Sequence, residues 1–201
     1  MPKHAVIPEG VESVQKCWFQ NTGVESVEVA ASVREIGAEA FSGCKSLRRV
    51  TFAAGSQLQT MGDRCFQGSG IEEVSVPAGV KVIGRDAFRY CARLKSVAFQ
   101  EGCALETIKS GCFRCSSLTE IVVPRRVGAL ENCAFRDCRG LKSVVFQEGS
   151  VLKRIGCDCF SKTGIDKIAI PSGVSVGDRA FFACRALKSV TVPEGLEYLR
   201  K

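Results

Sequence analysis

Apolar residues recur along the whole chain in one short pattern, and a phenylalanine marks each unit. These phenylalanines are Phe19, Phe41, Phe66, Phe88, Phe113, Phe135, Phe160 and Phe181. Their successive spacings are 22, 25, 22, 25, 22, 25 and 21 residues, so two unit lengths alternate within a super-repeat of 47. Self-similarity at such a period indicates a solenoid, in which short coils stack along one axis and each coil contacts only its neighbours.

Each unit combines a strand pattern with a return segment. Segments 36–52, 83–99 and 129–146 are close variants of I-G-x-x-A-F-x-x-C-x-x-L-x-x-V-x-F. In the last of these, Leu141, Val144 and Phe146 have the spacing of a short strand whose apolar side chains point inward. In the shorter unit a proline follows the strand and ends it, because proline has no N–H group to donate to a β-sheet hydrogen bond. The next stretch, V-x-x-I-G-x-x-A-F, predicts a short strand and one helical turn on the return side.

These units predict an α/β fold. A coil of about 23 residues cannot bury its own apolar side chains, whereas stacked coils bury them against one another. We therefore expect a single domain, 1–201, made of about eight coils of 22–25 residues. A parallel β-sheet forms one face, and short strands and helical turns form the other.

The repeat resembles the BspA-type leucine-rich repeats, whose pattern runs roughly L-x-x-I-x-I-P-x-x-V-x-x-I-G-x-x-A-F-x-x-C. The resemblance extends over essentially all 201 residues. It implies a leucine-rich-repeat solenoid that acts as a non-catalytic binding scaffold, often on bacterial or protist surfaces and used in adhesion or host-protein contact. The chain departs from secreted members of the family because it shows no apolar signal segment, no anchor and no N-x-S/T sequon.

The two ends of the chain carry the same pattern: AVIPEGVESV near the start matches VTVPEGLEYL near the end. Solenoids usually carry polar terminal caps, and neither end shows one. We expect the chain to be a segment of a longer array, with end-to-end self-association as the alternative.

Composition narrows the function. The single histidine, His4, argues against Ser-His and Cys-His catalysis, so we expect no enzyme activity and no cofactor. No run of about 18 apolar residues predicts a membrane span. The net charge of +7 permits acidic partners. The missing signal and the thiol-rich pattern favour the cytoplasm, with the cell surface as the alternative that the family implies.

The twelve cysteines include one C-x-x-C pair, Cys112 and Cys115, which alone suggests a zinc or redox site. In repeat register, Cys112 falls in a column that elsewhere holds alanine, which predicts a small, buried, apolar position. Cys115 lies three residues before a strand-opening leucine, as do Cys44, Cys91, Cys138 and Cys184. No second pair completes a zinc site. Packing is therefore the favoured role, disulfides between neighbouring coils stay open as an alternative, and Cys103 is expected to be exposed.

The exposed strand face is the first candidate binding surface. Equivalent positions near the end of each strand form a column across the coils. In the middle of the chain the residues of this column are apolar, and we expect them to face outward. Charged residues flank them. The candidate partner-binding residues are Lys95, Ala98, Glu120, Val122, Lys142, Val145, Lys167 and Ala169. Such a stripe is typical of a protein-binding patch. Alternatively, strand propensity explains the valines, and the charges pair between neighbouring strands.

An arginine-rich edge is the second candidate surface. The residue after the repeat phenylalanine is arginine in three consecutive coils, and two more arginines lie in the same turns. The set is Arg89, Arg93, Arg114, Arg136 and Arg139. Stacked like charges repel unless an anion or a carboxylate offsets them, so this edge predicts an acidic or polyanionic ligand, with a solvated basic edge as the alternative. Nucleic acid is disfavoured because no stacking aromatic residues interleave with the arginines.

Overall fold

The computed structural model describes residues 3–191, so the C-terminal segment 192–201 used in the end comparison lies outside the described residues. Strands are numbered β1 to β17 in chain order, and the odd-numbered ones form one face. They are β1 (His4–Ile7), β3 (Ser26–Val29), β5 (Arg49–Phe52), β7 (Glu73–Val76), β9 (Ser96–Phe99), β11 (Glu120–Val123), β13 (Ser143–Phe146), β15 (Lys167–Ala169) and β17 (Ser189–Thr191).

The even-numbered strands form the return face and contain two residues each. They are β2 (Ser13–Val14), β4 (Glu35–Ile36), β6 (Thr60–Met61), β8 (Val82–Ile83), β10 (Thr107–Ile108), β12 (Ala129–Leu130), β14 (Arg154–Ile155) and β16 (Ser175–Val176). They pair in parallel, coil to coil, as one eight-stranded sheet. Coils are numbered 1 to 8 by their repeat phenylalanine, so Phe19 lies in coil 1 and Phe181 in coil 8.

The odd-numbered strands form several separate sheets, whereas the even-numbered strands of the return face form one continuous sheet. It consists of the three-stranded sheet β1-β3-β5 and the pairs β7-β9, β11-β13 and β15-β17. Paired strands start 22 or 23 residues apart, whereas the strands on either side of each break start 24 residues apart. The additional residue shifts the strand register, so the parallel ladder is not carried across the break.

The parallel solenoid is confirmed, but the helical turn expected on the return side does not form. Residues 3–191 contain no helix, and hence none of the length and apolarity that crossing a membrane requires. Instead, residues two before and two after every repeat phenylalanine have positive φ; Gly111 (φ 65°) and Cys115 (φ 58°) flank Phe113. These angles are incompatible with right-handed helix and reverse the chain twice around the ring.

The repeat phenylalanines form one continuous stack through the core. Neighbouring ring centroids lie 5.1 to 5.6 Å apart, with interplanar angles of 4 to 16°. The six central rings, from Phe41 to Phe160, are fully buried. Because each of these six rings has a repeat phenylalanine on both sides, the central coils do not expose this face of their core.

The alanine and cysteine column next to the stack is buried, as predicted. Ala134 and Cys112 are both fully inaccessible, and the same holds for Cys65 and Cys159. Burial raises the pKa of the Cys112 thiol well above its ordinary 9.0. The thiol therefore remains protonated at neutral pH and behaves as a small apolar side chain.

The second cysteine column differs from the sequence prediction. Counted from the phenylalanine, the buried position holds Ser116 and not Cys115, because the short unit has one residue fewer between phenylalanine and leucine. Ser116 Oγ lies 3.3 Å from Cys138 Sγ, and the Cys138 thiol donates to the Phe113 carbonyl at 3.0 Å. Cys115 is half-buried. The cysteines of this column, alternating with serine or threonine, are Cys44, Cys91, Cys138 and Cys184.

All twelve cysteines are free thiols, so no disulfide links neighbouring coils. The expectation that Cys103 is exposed is wrong: only 7% of the residue is accessible. In an equivalent loop, Ser56 Oγ accepts a hydrogen bond from the Leu58 N–H. Burial raises the pKa of Cys103, and a hydrogen bond from the Leu105 backbone opposes that shift, so the thiol is turned inward in the position that Ser56 occupies.

Phe113→Ala should destabilise the fold by about 3–5 kcal/mol, because it opens a cavity in the middle of the ring stack. Urea denaturation followed by far-UV circular dichroism measures the change. Phe182→Ala is the matched control: Phe182 is 48% exposed, so its replacement should cost less than about 1 kcal/mol. Equal losses in the two variants would contradict the stacked core.

Cys112→Ala and Cys138→Ala should differ, although both thiols are buried. The first change should be mild because equivalent coils already carry alanine. The second removes the hydrogen bond from the Cys138 thiol to the Phe113 carbonyl, which keeps only the Ser116 N–H as a donor, and it should cost about 1 kcal/mol. Paired denaturation curves compare the two; an equal or larger loss for Cys112→Ala would refute the column assignment.

The buried thiols also predict a pH dependence. Burial raises the pKa of Cys138 to about 11 and that of Cys91 to about 12, from an ordinary 9.0. Because the thiols lose their protons more easily in the unfolded chain, their contribution to the free energy of unfolding is fully present below pH 9.0. That contribution is lost as the pH rises from 9.0 toward the pKa values of the folded state. The free energy of unfolding, measured by denaturation at several pH values, should therefore fall above about pH 9.

A matched variant isolates this contribution. Changing Cys65, Cys112 and Cys159 to alanine removes three buried thiols with raised pKa values, at positions where other coils carry alanine. The decline of stability above pH 9 should then be shallower. An unchanged slope would mean that other groups cause the alkaline loss.

Candidate functional site

The apolar column of the strand face points outward, as expected. Ala98, Val122, Val145 and Ala169 occupy the third position of β9, β11, β13 and β15, and all four are exposed. Their chain neighbours on either side in β11, Ile121 and Val123, are buried. Alternation along the strand therefore places one set of side chains in the core and the other on the surface.

Val122 and Val145 form the centre of this surface. They lie directly opposite each other in the β11-β13 ladder and are 45% and 49% exposed. Ala98 and Ala169 belong to the adjacent strand pairs, beyond the breaks on either side. The stripe expected from the sequence is thus a valine pair flanked by single alanines, and not one uninterrupted ladder.

The charges around the strand face are paired in only part of the molecule. In the N-terminal half, Glu72 lies 3.6 Å from Arg48 and 3.7 Å from Arg93, which confirms charge pairing between neighbouring coils there. Four charged residues flank the apolar column along the chain: Lys95, Glu120, Lys142 and Lys167. All four are exposed, and none makes an ion pair with another residue in the range 3–191.

The arginine edge is largely neutralised. Arg89 lies 3.6 Å from Asp86 and donates to the Tyr90 hydroxyl at 3.0 Å. Arg136 lies 3.6 Å from both Asp137 and Asp158. The Cys133 side chain, and then these two carboxylates, raise the pKa of Arg136, so its guanidinium stays charged while its charge is compensated.

The remaining arginines of this set differ in the carboxylates around them. Arg93 pairs with Glu72 beside the strand face, and Arg139 reaches Asp137 only at 4.0 Å. Arg114 has no carboxylate within 4.0 Å among residues 3–191. Carboxylates therefore compensate Arg89 and Arg136 in this set, whereas Arg114 has no such partner in the described range.

A cationic cavity that the repeat pattern does not predict lies at the corner between the phenylalanine turn and the strand face. Its three charged residues come from coils 6, 7 and 8: Arg139, Lys162 and Arg185. Lys162 and Arg185 stand at different positions of their repeats, so no single column of the sequence displays them together. Comparing positions 47 residues apart would have shown the change from Cys115 to Lys162.

Metal binding has no supporting cluster in the described part of the chain. Residues 3–191 contain no group of three histidine, cysteine, aspartate or glutamate side chains close enough to hold an ion. Cys112 is enclosed in the core, whereas Cys115 lies in the outer turn.

Solved structures with the same fold come from bacteria. The pneumococcal vaccine antigen PcpA is 23% identical with a TM-score of 0.77 over 96% of this chain and 61% of that one. A leucine-rich repeat protein from Bacteroides ovatus is 24% identical with a TM-score of 0.67, over 94% and 63% of the two chains. The T. pallidum leucine-rich repeat protein is 24% identical with a TM-score of 0.61, over 79% and 75%.

These similarities establish the fold, and this chain spans about three fifths of the first two proteins. No curated protein is significantly similar to it in sequence. The family described as BspA type leucine-rich repeat region matches residues 12–142 and 106–201, with six copies. Those two ranges overlap and together include nearly the whole chain. The chain therefore belongs to the BspA-type leucine-rich-repeat family.

Proposed function

We propose that this chain is a non-catalytic scaffold that binds a protein partner through the exposed strand face from β9 to β15. The observation that carries the proposal is the valine pair of β11 and β13. Two large aliphatic side chains lie side by side on a flat, hydrogen-bonded surface, and each leaves nearly half of its area in water. Full burial of one exposed valine contributes about 1.5–3 kcal/mol, so covering the exposed halves of both contributes about that amount in total.

The surroundings of the valine pair suit the rim of an interface. The three lysines and Glu120 have no partners in residues 3–191 that a binding protein would have to displace. Charges at a rim contribute more to orientation and association rate than to affinity. The rigid coil-to-coil packing holds this surface in place before binding, which lowers the conformational entropy lost on association.

The arginine edge is the weaker of the two candidate surfaces. A ligand there would compete with Asp86, Asp137 and Asp158 for guanidinium groups that are already compensated. End-to-end association and continuation into a longer array stay predictions. So do the cytoplasmic location and the cell-surface alternative.

A double substitution of the valine pair tests the proposal. Val122→Glu with Val145→Glu should abolish capture of the partner, because two carboxylates would have to be buried at the interface centre. Quantitative affinity capture identifies proteins that bind the unaltered chain, and titration of the purified partner then measures the affinity. We expect a loss of at least about tenfold, or roughly 1.4 kcal/mol.

The matched control carries the same charge change elsewhere. Val6→Glu with Ala54→Glu alters two exposed residues, one in β1 and one in the loop after β5, and neither belongs to a strand that pairs with β11 or β13. This variant should bind as the unaltered chain does. If both double variants weaken the same partner equally, net charge and not the strand face governs binding, and the proposal fails.

A further inference from the structure

The cationic cavity at the corner of coils 6 to 8 has the features of a second binding site. It is an open cavity of about 500 Å³. Besides three cationic side chains, its lining consists of small residues: Thr163, Gly164, Ala183 and Ala186. The Thr163 hydroxyl is already used, because it donates to the Phe160 carbonyl at 2.8 Å. The free functional groups of the cavity are therefore positive charges above a floor of small side chains.

The same groove exists one super-repeat earlier, and its charges are different. That cavity measures about 470 Å³ and includes Cys115, Asp137 and Arg139 in its lining. Lys162 is the equivalent of Cys115, and Ala183 is the equivalent of Asp137, since each pair holds the same place relative to its phenylalanine. One groove thus contains a cation and an anion, whereas the other contains three cations and no anion.

The positive charge of the later groove is not compensated. Among residues 3–191, no carboxylate lies within 4.0 Å of Lys162 or Arg185. Asp137 reaches Arg139 at 4.0 Å but lies closer to Arg136, at 3.6 Å. Like charges around one concave surface repel and concentrate a positive potential inside it, and an entering anion relieves that repulsion.

We infer that this cavity binds an acidic protein segment, with aspartate or glutamate carboxylates placed between Arg139, Lys162 and Arg185. The small side chains of the floor leave room for the aliphatic stems of such residues. No aromatic side chain lines the cavity, so it offers no platform on which a nucleotide base could stack. The site is separate from the valine pair, and it binds its ligand whether or not the strand face also binds a protein.

A substitution at Ala183 tests this assignment by restoring the acid that the earlier groove carries. Ala183 has φ 56°, a conformation that asparagine and aspartate adopt readily, and Asp137 has φ 60°. We compare the unaltered chain, Ala183→Asn and Ala183→Asp for binding of a fluorescein-labelled octaglutamate peptide, measured by fluorescence anisotropy at low and high salt. Ala183→Asn should leave the affinity within about twofold, and Ala183→Asp should reduce it about tenfold.

Further variants separate the site from net charge and from the strand face. Ala54→Asp, in an exposed loop, adds the same negative charge and should have little effect. Lys162→Ser should weaken octaglutamate as Ala183→Asp does. The valine variant Val122→Glu with Val145→Glu should still bind the peptide, because octaglutamate has no apolar side chain. The two proposals can therefore fail independently.

Three results would overturn the inference. One is an octaglutamate affinity that falls equally in Ala183→Asp and Ala54→Asp. Another is the absence of salt-dependent binding by the unaltered chain. The third is tighter binding of an octathymidylate that is itself weakened by Ala183→Asp, which would assign the cavity to nucleic acid.

Discussion

The stacking of one phenylalanine per coil is the interaction on which the rest of this structure depends. Rings spaced 5.1 to 5.6 Å apart set the distance between coils close to the spacing of hydrogen-bonded strands. Each ring is held by a turn with a left-handed residue on either side, so the backbone reverses at the same place in every coil. Because the ring has a fixed place in each coil, the positions next to it in the sequence also stack from coil to coil. The space available at each stacked position limits which side chains fit there. The alternation of alanine and cysteine beside the ring follows from that size limit.

The two faces of the solenoid respond differently to the alternation of unit lengths. Every two-residue return strand begins six residues before the phenylalanine of its coil, and these strands form one unbroken sheet. The longer strands lie after the position at which the unit length changes, so their ladder is interrupted at every long spacing. The outer face is consequently a series of short sheets. Its exposed valine pair lies within one of these sheets, which gives the proposed interface a well-defined, hydrogen-bonded centre.

Surface chemistry varies between coils because the core does not depend on it. The grooves of coils 5–6 and 6–8 have similar volumes and differ in charge. In the N-terminal half, Glu72 pairs with Arg48 and Arg93 across coils, whereas the lysines that flank the apolar column have no such partner among residues 3–191. A repeated scaffold with independently varied surface positions is suited to recognising partners, since specificity can change without altering the packing.

The sequence alone determined the solenoid, its coil length, the buried phenylalanine column and the outward position of Val122 and Val145, because these follow from periodicity. It did not determine features that depend on how the unequal units align in space. Cys115 was assigned to the wrong column because its distance to the next leucine, and not to its own phenylalanine, was used to align it. The paired left-handed turns in place of a helical turn, and the pairing of Arg136 with Asp158, depend on contacts between neighbouring coils. Such contacts join residues 20 or more positions apart, so only the tertiary structure decides which of these groups are paired.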